Sequence, residues 1–218
     1  VTVKNLSHSI DGEVVLKNVS FTLYKNQKIG VIGRNSISKT VLLQILAGEV
    51  KPDTGTIEWG STISRDYFPK DNSSFFDIDV TLLEWLNRHS GDEDDQQLMR
   101  GLLGRMLFSG DEVKKTVGVL SGGEKARAMF SKIMLPKANF ILFDEPTDHL
   151  DLESISALNE GLKKFMGVLM VSSHDFELMH TVVNRIIEVT PKGMLDREMP
   201  FSEYIESEKI KVLRDKIY

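Results

Sequence analysis

The chain has 218 residues and a formal net charge of -5. Its hydrophobic share of 41% and charged share of 27% are ordinary globular values, enough to bury roughly 70% of the unfolded surface. The absence of cysteine excludes disulfides and thiolate metal sites, no apolar run reaches the ~20 residues of a membrane helix, and the acidic balance argues against direct nucleic-acid contact. The length fits a single domain or a domain with a subdomain. The chain opens on Val1 with no signal peptide, so a trimmed start and a cut from a longer protein are expected.

Taken in order, Val1 to Tyr24 reads as short strands around a turn at Asp11-Gly12. Lys28 to Ile32 is a short apolar strand ending at Gly33, and Lys39 to Ala47 reads as a helix stopped by Gly48. Pro52 to Gly60 reads as turn-rich and Tyr67 to Ser74 as a loop. Val80 to Phe108 reads as mainly helical, interrupted by the acidic run Gly91-Asp92-Glu93-Asp94-Asp95. Ser121 to Leu135 is a second helix, stopped by Pro136. Phe140 to Phe143 is a buried strand running into Asp144, and Leu152 to Phe165 is helical. Val168 to Ser172 and Ile186 to Val189 are further strands, and Ile205 to Tyr218 forms a charged helical tail. Strands alternating with helices imply an α/β fold around a mainly parallel sheet.

Four segments carry chemistry. Gly33-Arg34-Asn35-Ser36-Ile37-Ser38-Lys39-Thr40 lies between a strand and a helix. Two readings fit it. One is a polar turn capped by Ser or Thr. The other is a phosphate loop, in which backbone N–H groups and the helix N-terminus receive phosphates, Lys39 reaches the terminal ones and the Thr40 hydroxyl binds Mg²⁺. Leu120-Ser121-Gly122-Gly123-Glu124-Lys125 forms a helix cap in which Glu124 completes a capping box with Ser121, and the same hydroxyl and N–H groups suit a phosphate.

Phe140 to Asp151 delivers the adjacent carboxylates Asp144 and Glu145 at a strand's carboxyl end, where ligands bind in open α/β sheets. Asp144 suits a metal and its water shell, and Glu145 suits polarising a water for attack on a γ-phosphate. Ser173-His174-Asp175 follows another strand, which favours a functional histidine over a structural one.

Together these four segments resemble the Walker A, signature, Walker B with D-loop, and switch-histidine segments of the ATP-binding cassette superfamily, along essentially the whole chain. The resemblance implies a P-loop NTPase cassette, with an α/β core that includes an antiparallel β region (1–75 and 136–200), a helical signature subdomain (76–135) and a C-terminal tail (201–218). It implies ATP and Mg²⁺ as ligands. The nucleotide would be held by Gly33, Asn35, Ser36, Ile37, Ser38, Lys39, Thr40 and Lys70, the metal by Thr40 and Asp144, with Glu145, His174 and Lys39 catalytic. ATP would be sandwiched between two cassettes, so Ser121 and Gly123 would serve the nucleotide of a second cassette, either in the same longer chain or in a homodimer.

The string Glu145-Pro146-Thr147-Asp148-His149-Leu150-Asp151 is similar to the ABC-F subfamily, whose usual string has Asn at Asp148; Tyr67 to Asn72 and Glu203-Tyr204 point the same way. That subfamily implies a cytoplasmic two-cassette protein without a membrane domain, several members of which act on the ribosome. The absence of a long hairpin between Asp71 and Leu120, and of a linker after the tail, implies the second cassette. The chain departs from the family at Ser36 and Ser38, which replace loop glycines, at Lys70, which stands at the Q-loop glutamine, and near Ile10, where an aromatic usually stacks on adenine. Two alternatives remain: the ATPase subunit of a membrane transporter, and a non-hydrolysing nucleotide-binding module. A DNA-acting ATPase of the repair type would carry a long coiled-coil insertion that this sequence lacks.

Overall fold

The structure is a computed structural model that describes residues 1–90, 95–135, 138–148, 150–190 and 192–218. Residues 91–94 of the acidic run, the helix stop expected at Pro136, and His149 lie outside the described residues.

β1 (Thr2–Ile10) and β2 (Glu13–Thr22) form an antiparallel hairpin. Asp11 and Gly12 take φ of 50° and 82°, the left-handed pair whose twist matches that of the flanking strands. β4 (Thr54–Glu58) pairs with the other edge of β1, giving a three-stranded sheet in the order β2-β1-β4. This strand lies in the segment read as turn-rich. Three turn formers (Pro52, Asp53, Gly55) mask the strand-favouring Thr54, Thr56 and Ile57. Gly55 has φ 96°, and a Cβ there would stand 2.6 Å from the Leu6 Cα, so glycine is required where the strand crosses β1.

The second sheet has six strands in the order β5-β6-β7-β3-β8-β9. They are β3 (Lys28–Ile32), β5 (Arg65–Phe68), β6 (Phe140–Asp144), β7 (Val168–Ser172), β8 (Arg185–Thr190) and β9 (Gly193–Arg197). β5 through β8 run parallel, and β9 returns antiparallel on β8. β6, β7 and β8 are buried along their whole length, as expected of a sheet covered on both faces. β5 falls partly in the expected Tyr67 to Ser74 loop. Its four residues are too few for alternation to register, and Pro69 ends it.

α1 (Ser36–Ala47) follows β3; α2 (Leu82–Ser90), α3 (Gln96–Arg105) and α4 (Gly122–Ile133) lie between β5 and β6. α5 (Leu152–Lys164) and α6 (Phe176–Val182) flank β7, and α7 (Phe201–Glu206) with α8 (Glu208–Ile217) closes the chain. One apolar cluster joins α1 and the hairpin to one face of the central strands through Leu42, Leu46, Ile29, Leu142 and Met170. The other joins α2, α3 and α4 to the opposite face through Trp85, Leu103, Phe130, Phe143 and Val171. Phe68 stacks on Phe130 at 4.8 Å between ring centroids, so the signature-bearing helix is packed directly on the sheet rather than tethered to it.

Candidate active site

In the parallel register β6, β7 and β3 are neighbours, so their carboxyl ends converge on one edge. Asp144 and Glu145 emerge from β6, Ser172 to His174 from β7, and Gly33 from β3. β3 lies between β7 and β8, the kind of position where an α/β sheet opens a crevice for ligands.

The phosphate-loop segment begins with a glycine that has no substitute. A Cβ on Gly33 would stand 2.6 Å from the Val189 carbonyl oxygen of β8. Asn35 then caps α1, its Oδ1 accepting from the Ile37 N–H at 2.9 Å. The helix starts three residues earlier than the sequence suggests, because Asn35 rather than Ser38 is the cap. Ser36 and Ser38 therefore sit in the first helical turn and are not among the residues with positive φ. The conformational freedom that glycine offers is not used at either position. Gly33, Arg34, Asn35, Ser36 and Ile37 remain partly or fully exposed, whereas Lys39 is 3% exposed.

Lys39 points to the carboxylates. Its Nζ is 3.0 Å from Glu145 Oε1. Glu145 is 3% exposed and is held from the β7 end as well: Ser172 Oγ donates to Oε1 at 3.0 Å and the His174 N–H donates to Oε2 at 3.1 Å. The His174 ring, largely exposed, has Nε2 3.5 Å from Oε1. Burial pushes the Glu145 carboxyl up, but the Lys39 bond and charge, with His174 and Ser172, outweigh it and hold it below the usual carboxylate range. Glu145 also takes φ 48°, a conformation that costs a non-glycine residue about 1–3 kcal/mol and persists only where surroundings enforce it. Its own N–H donating to Ser172 O at 2.8 Å does so here.

Asp144 is the opposite case. It is 1% exposed, and among the described residues neither carboxylate oxygen has a hydrogen-bond partner. Burial raises its proton affinity; the Thr40 hydroxyl nearby works against that rise without completing a bond to either oxygen, Glu145 adds to it, and Lys70 and Lys39 oppose it. Lys70 is exposed and lies 4.0 Å from Asp148. The structure thus brings Lys39, Thr40, Lys70, Asp144, Glu145 and His174 to one edge.

Ser121 and Gly123 are not part of this group. Ser121 caps α4, its Oγ accepting from the Glu124 N–H at 3.3 Å while Glu124 Oε2 accepts from the Ser121 N–H at 2.8 Å. The Ser121 N–H and Lys115 hold the Glu124 carboxyl down to about 2. Among the described residues no hydrogen bond or ion pair joins Ser121 or Gly123 to residues 33–40, and Ser121 faces solvent.

Ser172 is the site residue that motif reading misses. It ends an apolar strand and looks like a strand terminus. Only the pairing of Ser172 with Asp144 in neighbouring parallel strands sets its hydroxyl beside Glu145. A groove of about 740 Å³ lined by Met106, Ile133, Met134, Ala157, Gly161 and Phe165 contains none of the site residues.

The sequence profile of the ABC transporter family matches residues 16–148. The chain is 48% identical over 217 residues to the uncharacterized ABC transporter ATP-binding protein YkpA of Bacillus subtilis, covering 99% of this chain and 40% of YkpA. It is 33% identical to ABC transporter F family member 5 of Arabidopsis thaliana, covering 94% of this chain and 30% of that protein. The chain thus spans less than half the length of these relatives. Its fold is that of the cassette MJ0796 in a dimeric post-hydrolysis state bound to ADP and Pi, with TM-score 0.76 at 18% identity over 91% of this chain and 98% of that one. A profile match over more than half the chain, and relatives aligned along nearly all of it, make this chain a member of the ABC transporter ATPase family.

Proposed function

We propose that the chain is an ATP-binding cassette that binds MgATP on residues 33–40 and hydrolyses it when a second cassette closes over the site. The observation that carries this reading is the pair of buried, unpartnered oxygens of Asp144 beside Thr40. An ionised carboxylate left unpaired in a protein interior is costly, and a hydroxyl with a carboxylate is the donor set a hard cation takes. These residues fit magnesium, with Asp144 and Thr40 holding it. Bound there, the ion would neutralise charge on phosphate oxygens.

In this reading the α1 N-terminus and the amides of residues 35–40 receive the phosphates. Lys39 leaves Glu145 for the terminal phosphate. Glu145, kept in place by Ser172 and the His174 N–H, orients a water and takes its proton. The exposed His174 and Lys70 face the charge that develops. Ser121, exposed, and Gly123, half-buried, make no bond to this loop among the described residues and serve the nucleotide of the second cassette. The dimeric MJ0796 cassette supports such pairing. The chain is similar to F family members, and the resemblance to the ABC-F subfamily implies two cassettes in one cytoplasmic protein coupled to the ribosome. This chain would be the second of them, with residues 76–135 as its helical subdomain and residues 201–218 as its tail.

Calorimetry tests the reading. MgATP should bind the wild-type protein and lose at least tenfold in affinity, about 1.4 kcal/mol, in Lys39→Ala; ATP without magnesium should bind more weakly. Equal binding by both proteins refutes the loop assignment. Co-sedimentation with ribosomes, and its absence with membrane vesicles, tests the coupling.

A further inference from the structure

The phosphate loop is braced by the C-terminal end of the chain. Tyr218, at the end of α8, lies 184 positions from Arg34, yet its Oη accepts from the Arg34 N–H at 3.2 Å. The same hydroxyl donates to Glu188 Oε1 at 2.8 Å. The Arg34 guanidinium lies over the Tyr218 ring, 4.1 Å from its centroid. Glu188 is fully buried in β8 and pairs in register with Ile32, the residue before Gly33. Its two oxygens take two further donors, Arg214 Nε at 2.9 Å and Tyr204 Oη at 2.6 Å.

This is a built network. A carboxylate with no exposure is tolerated only when paired and hydrogen-bonded, and here α7 supplies Tyr204 while α8 and its cap supply Arg214 and Tyr218. A hydroxyl that gives its proton to an anion becomes a better acceptor for the next donor in line, here the Arg34 amide. That amide follows β3 and precedes the cap of α1, so neither element supplies its partner. The rest of the loop's outer face is exposed, with the Asn35 to Ile37 bond as its local tie.

We propose that Tyr218 and Glu188 are positioning residues that hold the entrance of the phosphate loop, so that α8 sets how well residues 33–40 are arranged to receive nucleotide. The proposal rests on the reading of that loop as the MgATP site. Tyr218→Phe is the informative variant, because it keeps the ring against Arg34 and leaves Glu188 with Arg214 and Tyr204.

Amide hydrogen exchange on the full-length, nucleotide-free protein should show roughly tenfold faster exchange at Arg34, with the amides of β6 and β7 unchanged. MgATP affinity should fall by roughly three- to tenfold. A merely structural helix would change exchange in the core and leave the Arg34 amide no worse than its neighbours, which overturns the proposal. Unchanged Arg34 exchange, or faster exchange with affinity intact, also overturns it. Wild-type protein that binds no MgATP overturns the nucleotide reading, a failure distinct from unchanged exchange in the variant.

Discussion

Lys39 and Glu145, 106 positions apart, form a buried ion pair at 3.0 Å. The cation that the proposed function assigns to a phosphate and the carboxylate it assigns to a water therefore occupy each other. A triphosphate must compete for Lys39. Its success leaves Glu145 with Ser172, the His174 N–H and the His174 ring, and loss of the Lys39 bond and charge raises its proton affinity toward that of a base. Lys39→Met imitates that withdrawal. Because Glu145 is held below its ordinary value, its contribution to stability is present above pH ~4.5 and is lost as pH falls through the folded-state value. The variant should unfold more easily by roughly 3 kcal/mol at pH 7, with the gap to wild type closing below about pH 4.5. Denaturant titrations at several pH values read this directly. A gap that does not change with pH removes the ion pair as its cause.

Glu145→Gln tests the proposed hydrolysis. The amide keeps the shape; its one oxygen can accept from the His174 N–H while its NH2 donates to the Ser172 hydroxyl oxygen, but it cannot take a proton. Phosphate release by the paired cassettes should fall by roughly 100-fold or more, while MgATP binding persists. Turnover at the wild-type rate would remove Glu145 as the base.

Asp144→Asn should stabilise the protein when magnesium and nucleotide are absent. Burial raises the Asp144 carboxyl above its ordinary 3.8, so its penalty is absent below that pH and builds as pH rises through the folded-state value. Removing an unpaired buried charge should gain roughly 1–3 kcal/mol at pH 7 and nothing at pH 3. MgATP should reverse the order, stabilising wild type and not the variant. A variant less stable than wild type at pH 7 without magnesium would show that the carboxylate already has a partner.

The segments with strong local signals could be read from the sequence. The strand ends at Gly33, Asp144 and Ser172, the cap of α4 and the start of α5 at Leu152 all follow from apolar runs and the polar residues that close them. β4 and β5 could not, because each is short and is held by its neighbours rather than by its own pattern. Ser172 and the Tyr218 contact with Arg34 depend on pairing between distant segments, which no local spacing encodes. The start of α1 at Ser36 differs from the expected Lys39 for a physical reason. The pattern of apolar residues begins at Val41, but the cap is the polar Asn35, and the turn between them has no apolar signature.

The earlier start of α1 places both serines in its first turn. Ser36 and Ser38 stand where the cassette pattern has loop glycines, a departure expected to weaken nucleotide binding. In this structure both are helical and Ser38 is 5% exposed. Ser38→Gly should therefore cost about 0.5–1 kcal/mol and leave MgATP affinity no better than wild type. Thermal unfolding and calorimetry on the variant check both halves. A glycine that tightens binding would mean that the bound loop needs a conformation different from the one seen here.

Lys28 provides a control remote from the site. Its ammonium group donates to the carbonyls of Phe165 and Gly167 and lies over the Phe165 ring, with no carboxylate partner among the described residues. Burial lowers it from 10.5 to about 8. The unfolded chain thus binds more protons than the folded one between these values, so this group makes the protein more stable as pH rises from about 8 toward 10.5. Lys28→Met should lose that slope while leaving MgATP binding unchanged. The variant should therefore fall behind wild type in stability between pH 8 and pH 10, beyond any constant offset from the two carbonyls left without a donor. Equal slopes for the two proteins would mean that solvent reaches the ammonium group and that the lysine is not desolvated.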